Sequence, residues 1–83
     1  MASLQYQVYW TTPNQAQTSM AWVEGFRRAM LPWQTGGAYL NYCDTDIEDW
    51  PQAYYGENFP RLVKVKRQWD PENLFHFAQS IPV

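Results

Sequence analysis

Residues 3–10 alternate between apolar or aromatic side chains and mostly polar ones. One face of an extended chain would carry four hydrophobic side chains: Leu4, Tyr6, Val8 and Trp10. The opposite face carries Gln5, Gln7 and Tyr9, and it can meet solvent, a polar pocket or a substrate. A period of two with many aromatic residues is typical of a β-strand, so the pattern predicts a strand here.

The stretch that follows has the features of a helix. Thr12 suits the N-cap, Pro13 suits the first helical position, and Gln15 suits the partner position of a capping box. Apolar side chains then recur at helical spacing to about Leu31, and Pro32 is expected to end the helix. Because the apolar face is broad, we expect this helix to be covered on more than one side.

The second half of the chain predicts shorter elements. Ala38–Cys43 is an apolar and aromatic run that predicts a second strand, and Asp44–Asp46 predicts a turn. Ile47–Tyr55 can hold one or two helical turns. A second clear helix is expected from Asn58 to the Asp70-Pro71 pair. The order strand, helix, strand, helix and tail predicts an α+β fold.

The aromatic content changes this picture, because it exceeds what a short chain can cover. Five Trp, six Tyr and four Phe occur in 83 residues, whereas a domain of about this length buries only about 60% of its unfolded surface. Cys43 is the only cysteine, so no intrachain disulfide can form, and His76 is the only histidine, so no metal site is expected. A partner is the remaining source of stability.

The charges exclude some classes of function. A net charge of −2 argues against a nucleic-acid partner. Five of the eight acidic side chains fall in 44–57 and four of the six basic ones in 61–67, and we interpret both as solvated or mutually facing segments. No apolar run has the length of a membrane span, and the N-terminus lacks the pattern of a signal peptide. A single cysteine slightly favours the cytoplasm without excluding secretion.

The residues alone do not predict a self-contained active site. The chain has no nucleophile elbow, phosphate-binding loop or dinucleotide-binding glycine pattern. Cys43 and His76 lie on segments with no reason to meet, so a buried thiol and a packed or surface histidine are the simpler interpretations.

Six blocks in the second half do carry a specific resemblance. In order they are Ala38–Tyr42, Asp44–Ile47, Tyr54–Phe59, Arg61–Lys66, Asp70–Phe75 and Gln79–Ile81. They resemble the C-terminal segment of the berberine-bridge-enzyme-like, FAD-linked oxidases of the vanillyl-alcohol-oxidase superfamily. Residues 1–37 resemble the last strand and helix of the substrate domain just upstream. The resemblance covers nearly the whole chain but only about the last sixth of a typical member.

The resemblance implies that most of the enzyme lies outside this sequence. Members hold FAD in an N-terminal flavin domain, and the motifs that attach it are not in this chain. The chain is therefore not expected to be an oxidase alone. It is expected to complete the substrate domain as one segment, 1–83, and to pack on a flavin domain or a second copy of itself.

The resemblance also implies site residues. Tyr42 matches a tyrosine that faces the flavin and takes the hydroxyl proton of the substrate, and Gln5 matches a substrate-facing position. Tyr39 is expected to bind substrate and Asn41 to contact the cofactor. For each of them the alternative is a structural role: an interface tyrosine, a strand glutamine with a satisfied amide, or a side chain that fixes the strand.

Three interpretations stay open at this point. The chain can be the C-terminal portion or small subunit of an FAD-linked oxidoreductase that acts on an alcohol or related C–H bond. It can instead be a free-standing binding or dimerisation module without catalysis, holding itself as a homodimer or binding a small apolar ligand. A non-redox cyclisation on a reused flavoprotein scaffold is the third, and no residue favours it.

Overall fold

The computed structural model describes all 83 residues and is helical throughout its regular structure. Three α-helices are present, α1 (Ala16–Met30), α2 (Trp50–Tyr55) and α3 (Phe59–Trp69), with short 3₁₀ turns at their ends and between them. No residue forms a strand, so the predicted α+β fold is wrong. The chain divides into two compact units, Met1–Thr35 and Gly36–Val83.

The predicted strand at residues 3–10 is an irregular segment instead. A strand is stabilised by the ladder of hydrogen bonds to a neighbouring strand, and no other segment of the chain supplies one. The Tyr6 ring instead packs edge-on against Phe26 of α1, with centroids 5.1 Å apart, and its hydroxyl bonds to the Gln34 amide. The alternating pattern therefore describes a segment that the chain itself leaves without a strand partner.

Helix α1 begins close to its predicted position, but its cap differs in detail. Thr12 has the extended backbone of an N-cap residue, yet its side chain makes no capping hydrogen bond. The Gln15 side-chain oxygen Oε1 instead accepts the backbone N–H of Thr11 at 3.1 Å, one residue before the predicted partner. At the other end, Pro32 falls within a 3₁₀ turn, Leu31–Trp33, that continues the helix by one tight turn.

In the second unit, a cluster of aromatic rings holds α2 against α3. Trp50 at the start of α2 meets Phe59 of α3 edge-on at 5.6 Å, and Tyr55 lies 6.1 Å from the same ring. The two helices are separated by a 3₁₀ turn that begins at Gly56. The φ of Gly56 is +52°, a conformation that costs a side-chain-bearing residue energy, so glycine allows the helices to fold back together.

The chain has no buried hydrophobic core. No hydrophobic side chain is buried, and the only two buried residues, Asp70 and Gln79, are polar. Eighteen large hydrophobic side chains are exposed, many by more than half of their surface. Exposed apolar surface on this scale is typical of an interaction site.

Candidate functional site

Three of the four predicted site residues lie together on one short segment. The predicted strand at 38–43 is a 3₁₀ turn over Leu40–Tyr42, closed by the Tyr42 N–H, which donates to the Tyr39 carbonyl at 3.0 Å. A strand would place Tyr39 and Tyr42 on opposite faces, because their separation is odd. The turn places side chains three apart on one side, so the two rings meet edge-on with centroids 5.3 Å apart.

Asn41 completes this group of three. Its amide nitrogen donates to the Tyr39 hydroxyl at 3.0 Å, and this bond fixes the direction of the phenol. Tyr39 is 58% exposed and Tyr42 67% exposed, and the Tyr42 hydroxyl forms no hydrogen bond in this structure. The group therefore exposes one oriented phenol, one phenol without a hydrogen bond and one amide.

Gln5 belongs to the other compact unit and is not part of this group. It lies on the irregular segment at 3–10, where its side chain is exposed. Its neighbour Gln7 accepts a hydrogen bond from Tyr9 at 2.9 Å, whereas the Gln5 amide has no partner. Its predicted substrate contact stays a prediction, as do the roles of the three residues in the second unit.

The segment that carries the tyrosines, residues 38–44, is held at both ends. At its start, the Ala38 N–H donates to the Ala53 carbonyl of α2 at 2.9 Å. At its end, the Asp44 N–H donates to the Tyr54 hydroxyl at 2.8 Å. The Gln79 side-chain amide donates to the Asp44 carbonyl, also at 2.8 Å. We call residues 38–44 the site segment.

Sequence reasoning assigned no function to Tyr54 or Gln79, although both lie within blocks that carried the family resemblance. Their contacts are with the backbone of a distant residue, and no local pattern predicts such a contact. The one available signal was Gln79 itself, since a glutamine in an otherwise apolar tail needs a partner if it is buried.

A second polar network shapes residues 70–75, which we call the tail turn. The Asp70 carboxylate accepts the backbone N–H groups of Leu74 at 2.7 Å and Phe75 at 3.0 Å. Lys66 of α3 forms an ion pair with the same carboxylate. The hydrogen bond from the Lys66 ammonium is the main cause that lowers the pKa of Asp70. Burial acts in the opposite direction, and the two backbone N–H groups lower the pKa further. These contacts make Asp70 the residue that holds the tail turn together, directly after the predicted end of the helix.

Two other candidates for chemistry lie outside this arrangement. Cys43 is an exposed free thiol, and the exposed His76 ring contacts the backbone carbonyl of Asn73 at 3.0 Å. An open groove of about 520 Å³ runs beside α2 and α3, and none of the predicted site residues lines it. No helix combines the length and the apolar character that crossing a bilayer requires.

The residues present fit only one edge of an FAD molecule. The tyrosine rings and the Asn41 amide can contact the flavin ring system by stacking and hydrogen bonding. The site segment offers no cationic side chain or glycine-rich loop for the pyrophosphate. The chemistry of the site segment therefore fits the flavin ring system and not the pyrophosphate.

Comparison with known proteins identifies the family of the chain. The family described as "Berberine and berberine like" matches residues 38–82, and the chain belongs to this family. The resemblance seen in the sequence is thereby confirmed.

Individual relatives extend the match to nearly the whole chain. An uncharacterised FAD-linked oxidoreductase of Bacillus subtilis, YgaK, is 46% identical over 78 residues, which cover 94% of this chain and 17% of YgaK. The hexose oxidase of Chondrus crispus is 31% identical over an alignment of 102 positions, which covers 95% of this chain and 19% of that enzyme. The chain thus spans about a sixth to a fifth of the length of these relatives.

A solved structure shows the same fold. Wild-type BBE-like 1 of Physcomitrella patens is 38% identical and superposes with a TM-score of 0.82. The match covers 88% of this chain and 15% of that protein.

Proposed function

We propose that this chain forms the C-terminal part of an FAD-linked oxidoreductase that oxidises an alcohol or a related C–H bond. Tyr42 contributes to an active site that a flavin-binding partner or domain completes. The observation that carries the proposal is the exposed group of Tyr39, Asn41 and Tyr42, which lies in the part of the chain that matches the family. The absence of a buried apolar core supports a covering partner.

In this function the chain's own residues bind and orient the substrate and move a proton. FAD, held mainly by the partner, would supply the acceptor for the hydride. The Tyr42 oxygen takes the proton of the substrate hydroxyl, and Tyr39 and Gln5 orient the substrate. The Asn41 nitrogen donates to the Tyr39 hydroxyl. The Asn41 amide oxygen is left to accept a hydrogen bond from the edge of the cofactor.

Tyr42 can take up a proton only as the phenolate, so its catalysis depends on a group that stabilises the phenolate. A free tyrosine ionises near pH 10, so general base catalysis at neutral pH requires a nearby cation or a hydrogen-bond donor to the phenolate. The site segment has no such cation. The flavin-binding part must therefore supply it, which makes the proposed catalysis a property of the assembly.

The test is size-exclusion chromatography with in-line light scattering and flavin absorbance, on the untagged chain purified from its native source. Co-elution with a larger yellow protein, or recovery as part of one longer yellow polypeptide, is the expected result. A colourless compact monomer or homodimer would overturn the proposal and favour the free-standing binding or dimerisation module.

A further inference from the structure

Gln79 is an unusual residue to bury in a chain that buries almost nothing. Only 8% of its surface is exposed, and the only other buried residue is Asp70. Burying an amide costs free energy unless it is hydrogen-bonded. The Gln79 amide nitrogen meets this need by donating to the Asp44 carbonyl, at the end of the site segment.

Tyr54 acts on the same peptide backbone from another element. Its hydroxyl, on α2, accepts the Asp44 N–H at 2.8 Å and lies 3.4 Å from the Asp44 carbonyl oxygen. Both backbone groups of Asp44 are therefore held by side chains that are distant in sequence. The turn at Asp44–Ile47 adds a local bond, because the Asp46 N–H donates to the Asp44 carboxylate at 2.9 Å.

The position of Asp44 controls the direction of Tyr42, because only Cys43 separates them. Cys43 has an extended backbone, with φ −63° and ψ 146°, so a rotation at Asp44 would be transmitted directly to Tyr42. At the other end, Ala38 is fixed to α2. With both ends held, the 3₁₀ turn keeps the Tyr42 ring edge-on to the Tyr39 ring.

We infer that Gln79 and Tyr54 are positioning residues that hold Asp44 and thereby orient Tyr42 toward the reacting atoms. The inference rests on the proposed function for the meaning of Tyr42, but the orientation itself is a property of this chain. It gives the C-terminal tail a role in catalytic geometry, in addition to any role in packing.

The first variant is Gln79→Leu, which removes the amide at similar volume. In the assembled oxidoreductase we expect kcat to fall roughly tenfold to a hundredfold, the cost of a small misplacement of a reacting group. We expect KM to change less than about threefold, because the substrate contacts remain. Gln68→Leu, on the exposed side of α3, is the matched control and should leave both constants unchanged. Tyr54→Phe should reproduce the kcat effect in milder form, since Gln79 still holds the Asp44 carbonyl.

Rescue by pH separates positioning from simple loss of folding. In Gln79→Glu, the ionised carboxylate cannot donate to the Asp44 carbonyl, whereas the protonated acid can. The titratable groups beside it are the Asp44 carboxyl and the Tyr54 hydroxyl, and both are also present in the wild type. We therefore expect the ratio of variant kcat to wild-type kcat to rise as the pH falls through the range where the introduced carboxyl is protonated. The Gln79→Leu ratio should stay flat. A flat ratio for Gln79→Glu would overturn the inference.

A readout without turnover keeps this inference separate from the proposed function. In the protein as purified, whether free or assembled with its partner, nuclear magnetic resonance can follow the ring signals of Tyr42, assigned by their loss in Tyr42→Phe. The edge-on contact with the Tyr39 ring shifts these signals, and Gln79→Leu should abolish the shift while Gln68→Leu preserves it. Unchanged Tyr42 signals in both Gln79→Leu and Tyr54→Phe would overturn the inference whatever the turnover shows. If Tyr42→Phe leaves turnover intact, the proposed function fails, and the ring signals still decide whether Gln79 orients Tyr42.

Discussion

Lys66 and Asp70 lie one helical turn apart at the end of α3, and the Lys66 ammonium donates both to the Asp70 carboxylate and to the Phe75 carbonyl. The same carboxylate accepts the N–H groups of Leu74 and Phe75. One ion pair therefore joins the last turn of the helix to both ends of the tail turn. Asn73, with φ of +54°, provides the sharp reversal that brings these groups together.

Removing the Asp70 charge should loosen the tail turn. In Asp70→Asn the amide can still accept one N–H, but the Lys66 ammonium loses its counter-charge, so the thermal midpoint followed by far-ultraviolet circular dichroism should fall. Asp46→Asn is the control, because the Asp46 side chain accepts no hydrogen bond. An equal effect of the two substitutions would contradict the role of the ion pair.

The pH dependence of this contribution has a definite sign. Because the pKa of Asp70 is lowered on folding, its contribution to stability is fully present above the ordinary value of 3.8. It is lost as the pH falls below that value, when the folded state must take up the proton. Wild type and Asp70→Asn should therefore converge in stability under acidic conditions and differ at neutral pH.

Glu24 should make α1 sensitive to acid in a similar way. Its carboxylate is bound by Arg27 at 2.8 Å and by Arg28 at 2.9 Å, and these hydrogen bonds lower its pKa from 4.5 to about 2. Its contribution is present above 4.5 and is lost as the pH falls toward about 2. In Glu24→Gln we expect a lower helix content at neutral pH and a flatter acid titration by circular dichroism. Glu72→Gln, at a residue outside the ion pairs, should titrate as the wild type does.

The two longer helices were predictable because their signals are local. Thr12 and Pro13 mark the start of α1, and Asn58 and Asp70 bracket α3, so neighbouring residues alone determine where these helices begin and end. The predicted helical turn within 47–55 is likewise present as α2. Such elements depend little on distant parts of the chain.

The two predicted strands failed because strand formation depends on a neighbour that the sequence pattern does not reveal. Residues 3–10 alternate as a strand does, but no segment of this chain pairs with them. Ala38–Cys43 has the composition of a strand and forms a 3₁₀ turn. The family resemblance indicated the site residues by their positions. The contact between Tyr39 and Tyr42 was not predictable, because it requires the 3₁₀ turn. The hydrogen bond from Gln79 to Asp44 was not predictable either, because it joins residues that are far apart in the sequence.

Tyr42→Phe tests the proposed proton acceptor. The hydroxyl forms no hydrogen bond within the chain and the ring contact with Tyr39 survives, so circular dichroism should not change. In the assembled enzyme, turnover should fall by about 10²–10⁴-fold, the range of a general base. Tyr55→Phe is the matched control, since it removes a hydroxyl from a residue of α2. Unchanged turnover in Tyr42→Phe would remove Tyr42 from the mechanism.

Gln5→Ala tests the proposed substrate contact. Because the Gln5 amide is exposed and unpartnered, its removal should not affect folding. Loss of one hydrogen bond to the substrate should raise KM by up to roughly tenfold, given a net value of about 0.5–1.5 kcal/mol for such a bond. Gln17→Ala, at an exposed position of α1, should leave KM unchanged. A KM equal to that of the wild type in both variants would leave Gln5 with no part in binding.

The tail turn and the residues that follow it should dock on the flavin-binding part through their side chains. Leu74, Phe75 and Phe77 are each at least 70% exposed, and Phe75 enters the Lys66 and Asp70 network through its backbone alone. Phe75→Ala therefore removes an exposed ring and leaves the turn intact. If this ring is an anchor of the interface, its loss should weaken association by roughly 2–4 kcal/mol, measured by titration calorimetry or, for a single polypeptide, by the stability of the assembled protein.

Glu72→Ala, on the same turn, is the control for the Phe75 experiment and should cost little, because exposed polar residues contribute little to such interfaces. If Phe75→Ala and Glu72→Ala have equal effects, the Phe75 ring does not anchor the assembly. Circular dichroism decides whether a loss comes from docking or from folding. Phe75→Ala should keep the acid sensitivity due to Asp70, whereas a variant with a disrupted turn would lose that sensitivity together with its affinity.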